Sequence, residues 1–87
     1  MYKTSTGFEF DVSADALDDW ELLEELAQLE SDGSKIVSVC RRLLGYESTQ
    51  RLKEHCRGEN GRVSVTAMDN ELSEIFTILR KDKNSKN

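Results

Sequence analysis

The sequence contains no proline and only five glycines in its 87 residues, so little in it interrupts helices. It has no apolar run approaching the roughly 18 residues that a membrane-spanning helix needs. A basic start followed by an apolar block, which would mark a secretory signal peptide, is also missing. These absences predict a mainly helical cytoplasmic protein with no membrane association.

Residues that could carry chemistry are scarce. Cys40 and Cys56 are accompanied by a lone His55, without the spacing of a zinc site. We interpret both cysteines as structural thiols that stay reduced in the cytosol, and the histidine as a surface residue. No paired carboxylates stand out for acid–base work, and the glycines near residue 60 lack the lysine of a phosphate loop. We therefore expect no enzyme activity, no cofactor and no metal.

One short stretch imitates a calcium loop. The residues "DVSAD", from Asp11 to Asp15, place oxygen ligands at alternate positions. Such a loop needs glycine at its sixth position and glutamate at its twelfth, where this chain has Ala16 and Leu22. We reject the calcium site on these two departures.

Charge is unevenly distributed along the chain. Residues 1–33 hold ten acidic residues and one lysine, whereas residues 34–87 hold seven acidic and eleven basic residues, and the two sum to the net charge of −5. The acidic front half argues against nucleic-acid binding, which requires a basic surface. It also lets one half of the chain attract the other, within a monomer or between copies.

The hydrophobic pattern predicts a small bundle of about four helices with a short N-terminal β-hairpin. Phe8, Phe10 and Val12 alternate with acidic residues, as in a strand that follows a turn at Thr6–Gly7. The helices are expected from Ser13–Asp15 to Gly33, over 34–44 with Gly45 as its stop, over 48–57, and over 66–79 with Thr66 as its cap. Residues 1–80 then form a single domain, and 81–87 a disordered basic tail.

The first helix carries more apolar surface than one core requires. Seven acidic residues lie between Asp15 and Glu30, most of them on one arc, yet the apolar arc spans about 240° where a surface helix needs about 100°. One apolar ridge is Leu22, Leu26 and Leu29, and a second is Leu17, Trp20, Leu23 and Ala27. Either the chain covers both ridges itself, or part of the second ridge, Trp20 above all, contacts a partner.

The order of these segments resembles a known family. A "YKTSTGFEFDV" front is followed by "DALDDWELLEELAQLE", a helix closing with "LLG", and "LKEHCRGENGRVSVTAMDNELSEIF". This arrangement, over about residues 2 to 79, is similar to the small tail assembly chaperones of siphophages and prophages of Gram-positive bacteria. The resemblance departs at Ser64, where members often have proline.

The resemblance implies a non-enzymatic role. Such chaperones bind the hydrophobic tape measure protein and keep it soluble while tail tube subunits assemble around it, so the expected partners are the tape measure protein and the tail tube protein. Some are also made in a longer, frameshifted form. We expect Leu17, Trp20, Leu23 and Ala27 to bind the partner, with Phe8 and Phe10 as a second surface.

Two alternatives belong to other classes. A small acidic regulator or inhibitor could occupy the basic groove of a host protein by imitating DNA charge, with residues 15–32 as its surface. A structural adaptor could instead form a homo-oligomer through the same apolar ridge. Salt dependence distinguishes the first alternative, and the mass in solution distinguishes the second.

Overall fold

The computed structural model describes residues 1–13, 15–29 and 31–84. Two short strands, β1 (Tyr2–Lys3) and β2 (Glu9–Phe10), precede helices α1 (Trp20–Gln28), α2 (Lys35–Cys56) and α3 (Val65–Asn84). The mainly helical architecture with an antiparallel N-terminal hairpin is therefore confirmed. The described part of the chain has three helices, however, where the sequence predicts about four.

The difference in helix number lies at Gly45. The sequence predicts that this glycine ends one helix and that the next begins at Ser48, but α2 runs through it with Gly45 at φ 83° and ψ 171° as the non-helical residue. The hydroxyl of Thr49 donates to the Gly45 carbonyl at 2.7 Å and so satisfies a backbone group that the kink frees. Gly45 thus interrupts the helical backbone as predicted, but no loop separates the two arms, so they count as one kinked helix.

Helix α1 begins later than predicted, at Trp20 rather than at Ser13–Asp15. Asp19 is its N-cap, because its Oδ1 accepts the backbone N–H groups of the second and third helical residues at 3.0 and 3.2 Å. The Ser13 hydroxyl accepts the N–H of Asp15 at 3.2 Å and supports a local turn. The prediction placed the start of the helix at Ser13–Asp15 and did not consider that Asp19 competes with Ser13 as the capping residue.

Helix α3 also differs at both ends. It starts at Val65 instead of Thr66, because the hydroxyl of Ser64 accepts the N–H of Ala67 at 3.1 Å and acts as the cap. It continues to Asn84, into the segment where the sequence predicts a disordered tail. Residues 85–87 of that predicted tail lie outside the described residues.

The core is formed where α2 contacts both α1 and α3 and where the hairpin packs against these helices. Ring stacking joins Tyr2 to Phe10 at 5.3 Å and Phe8 to Phe10 at 6.1 Å between centroids. The buried apolar residues are Phe8, Phe10, Leu22, Val39, Cys40, Leu43, Leu44, Leu52, Leu72, Ile75, Phe76 and Leu79. One core thus takes in the hairpin and all three helices.

Polar contacts attach the hairpin turn to α2 and α3. The hydroxyls of Thr4 and Thr6 each donate to the Glu71 carboxylate at 2.8 Å, and Glu71 is only 5% exposed. Because both hydroxyl protons go to Glu71, the Thr6 oxygen accepts Nε2–H of His55 at 2.9 Å. Glu74 accepts two more hydrogen bonds from Ser5, one from its backbone N–H and one from its hydroxyl. These bonds explain how a two-stranded hairpin, weak alone, holds its position.

Candidate protein-binding surface

The second apolar ridge of α1 lies largely in solvent. Trp20 is 73% exposed and Leu23 is 58% exposed, and Ala27 is exposed one turn further along. Leu17 is half-buried in the turn that precedes the helix. We call these four residues the Trp20 face. The chain's own helices and hairpin do not enclose this face, so the prediction that α1 has surplus apolar surface agrees with its exposure.

A groove of about 230 Å³ runs beside the Trp20 face, between α1 and α3. Its apolar walls include Leu17 and Leu23 from the face, and Phe76 from α3. The guanidinium of Arg80 lies 5.8 Å from the centre of the Phe76 ring, a cation–π contact at the edge of the groove. An apolar side chain from a partner that contacted Trp20 could insert into this groove.

The acidic rim of α1 is partly neutralised within the chain. Arg42 of α2 forms ion pairs with Asp19 at 3.8 Å, Glu21 at 3.4 Å and Glu25 at 3.7 Å. Glu25 also accepts a hydrogen bond from the Ser38 hydroxyl at 2.7 Å. The predicted attraction between the acidic and basic halves of the chain therefore occurs inside the monomer and holds α1 against α2.

The prediction for Phe8 and Phe10 needs correction, because neither residue forms an exposed second surface. They are 4% and 1% exposed, and their rings stack on each other. The guanidinium of Arg51 lies 5.2 Å from the centre of the Phe8 ring. The strand alternation correctly put both rings on one side, but that side faces the core.

The described residues contain no cluster suited to metal binding, and their two cysteines lie at least partly buried. Within residues 1–13, 15–29 and 31–84, His, Cys, Asp and Glu form no group of three that could hold a metal ion. Burial raises the pKa of the Cys40 thiol, and burial followed by the charge of Glu71 raises the pKa of Cys56. Both thiols are therefore protonated and weakly nucleophilic near neutral pH. No described helix is long and apolar enough to cross a membrane.

A second set of exposed apolar residues, which the sequence does not predict, lies on another side of the molecule. Val37 on α2 is 56% exposed and Val65 at the start of α3 is 72% exposed. Helical spacing over 34–44 places Ile36, Val37, Cys40, Leu43 and Leu44 on one stripe, which predicts that Val37 faces the core. The core-facing side of this part of α2 instead carries Val39, Cys40 and Leu43, a helical stripe that leaves Val37 outside.

Comparison with protein-family models, with curated proteins and with solved structures gives no match for this chain.

Proposed function

We propose that this protein is a phage tail assembly chaperone that binds a tape measure protein through the Trp20 face and keeps it soluble during tail assembly. The observation that carries the proposal is the exposure of Trp20 and Leu23 beside an apolar groove on a small domain. The order of sequence segments supports the assignment to this family. The tail tube protein is a further proposed partner.

The physical basis is reversible coverage of apolar surface. A long helical client offers apolar stripes that must be shielded from water until the tube encloses them. Burial contributes about 25 cal/mol per Å² of apolar area, so covering one exposed leucine contributes about 2 kcal/mol. The exposed carboxylates around the face limit aggregation of the carrier with itself.

The test is co-expression with a phage tape measure protein, followed by co-purification. Trp20→Asp is expected to weaken binding about 30-fold or more, the usual effect of removing an interface hot spot. The control is Tyr46→Asp, which places the same charge at a residue 65% exposed and outside the Trp20 face. If folded Trp20→Asp protein still co-purifies like the native chain, the site assignment is wrong.

The single tryptophan of the chain is also the reporter. Because Trp20 is exposed, its fluorescence should shift to shorter wavelength when the client covers it. The mass of the chain alone is measured first, since a homo-oligomer formed through the same ridge would produce the same shift without any client.

The salt dependence of binding separates this proposal from the DNA-mimic alternative. An electrostatic mimic loses its partner steeply between low and moderate salt, whereas a binder of apolar surface does not. The internal pairing of Arg42 with three carboxylates leaves less free negative charge on α1 and favours the apolar mode. A slippery heptamer after the codon for Arg80 in the nucleotide sequence would independently support the family assignment.

A further inference from the structure

The inner angle of the kinked helix holds a second apolar groove, separate from the Trp20 face. It measures about 210 Å³ and lies between the two arms of α2 and the start of α3. Its apolar wall contains the exposed Val37 and Val65 together with Ile36, Met68 and Leu72. We call it the Val37 groove. An adjoining groove of about 280 Å³ shares Ile36 and Val65 with it, so the two form one extended trough, and Asp69 lines the adjoining part.

Two basic residues, Arg41 and Lys53, line the Val37 groove. Neither forms an ion pair with a carboxylate in the described part of the chain, although the protein as a whole is acidic. Lys53 donates to the Gln50 side chain, at 3.3 Å. The contrast with Arg42 is sharp, because that neighbouring residue pairs with three carboxylates. The groove thus combines apolar walls with two cationic side chains that form no ion pair within the described residues.

From this combination we infer that the Val37 groove binds an amphipathic helical segment of a partner protein whose apolar stripe is flanked by aspartate or glutamate. Apolar side chains would cover Val37 and Val65, and the acidic flank would meet Arg41 and Lys53. In helix-in-groove binding, apolar side chains at successive turns of the bound helix insert into the groove. The extended trough has room for more than one of them. The site shares no lining residue with the groove beside the Trp20 face and goes beyond the proposed function.

Net charge makes the inference testable with two matched peptides of about 18 residues. Both carry leucines at i, i+3, i+4 and i+7, one with glutamates beside the stripe and the other with lysines. Non-specific attraction to a chain of net charge −5 would favour the lysine peptide. The inference predicts the opposite, with the glutamate peptide shifting the methyl NMR signals of Val37, Val65 and Met68.

The Arg41→Glu variant should weaken binding of the glutamate peptide about tenfold, as expected for a charge at the edge of an interface. The matched control is Arg62→Glu, the same charge change at an exposed arginine outside the groove, which should leave binding nearly unchanged. If Arg41→Glu loses its helical circular dichroism, Lys53→Glu supplies the same test.

Three results would overturn the inference. The first is unchanged groove methyl signals with the glutamate peptide, and the second is equal binding of the lysine peptide. The third is a concentration-dependent shift of the same signals without any peptide, which would mean that a second copy of the chain occupies the groove. Loss of tape measure binding by Trp20→Asp is a separate outcome, so either proposal can fail alone.

Discussion

Replacing Gly45 by alanine tests how α2 builds the Val37 groove. Gly45 has φ 83° and ψ 171°, a backbone conformation almost confined to glycine. A Cβ atom built at this position meets no other atom within 4 Å. The penalty for alanine therefore comes from the backbone rather than from a collision, and such a residue costs about 1–3 kcal/mol.

The variant could avoid that penalty only by straightening α2. A regular helix over the 22 residues from Lys35 to Cys56 would be about 33 Å long. Thr49 and Lys53 would then move away from the first arm, which they face across the groove. The 2.7 Å hydrogen bond from the Thr49 hydroxyl to the Gly45 carbonyl would then no longer stabilise a kink. Either route costs stability, and straightening also removes the groove.

Urea unfolding followed by circular dichroism measures the change in the free energy of unfolding. For a domain of this size, a loss of about 1–3 kcal/mol lowers the melting temperature by about 5–20 °C. Gly33→Ala is the control, because its Cβ also meets open space and its φ is not positive. It should be neutral or stabilising by up to about 1 kcal/mol. Equal stability of the two variants would refute the reasoning.

Two further predictions concern buried polar groups. Thr4→Val deprives the buried Glu71 of one of its two hydroxyl donors and should cost about 1–3 kcal/mol by urea unfolding, whereas Thr77→Val, at an exposed hydroxyl on α3, should cost under about 0.5 kcal/mol. Iodoacetamide at neutral pH should label half-buried Cys56 before buried Cys40. Burial raises the pKa of both thiols, but it hides Cys40 more completely from the reagent. Equal labelling rates in the folded protein would contradict the packing described for α2.

The sequence predicts the secondary-structure types and the hairpin well, because these depend on local signals. Alternation around Phe8 and the positive-φ glycine of the turn lie within a few residues of each other. Helix ends are predicted less well, since several capping residues compete in one segment and only packing chooses between them. Asp19 is the cap instead of Ser13, and α1 already ends at Gln28, before the predicted stop at Gly33.

Exposure is harder to predict than periodicity. The surplus apolar arc of α1 is visible on a helical wheel, and Trp20 and Leu23 are indeed exposed. The Val37 groove leaves no such signal, because it depends on the direction of α2 after Gly45. The sequence predicts separate helices before and after Gly45 and gives no relation between Val37 and Lys53, whereas the folded chain sets them on the same groove.

The two neighbouring arginines of α2, Arg41 and Arg42, differ in what their charges contact. Successive helical residues are about 100° apart, so Arg41 and Arg42 cannot face the same neighbour. Arg42 meets the carboxylates of α1 and uses its charge within the fold. Arg41 is directed to the Val37 groove, where the described residues offer it no carboxylate. Under the two proposals, the Trp20 face with its acidic rim and the Val37 groove with its basic rim would therefore bind apolar segments of opposite charge.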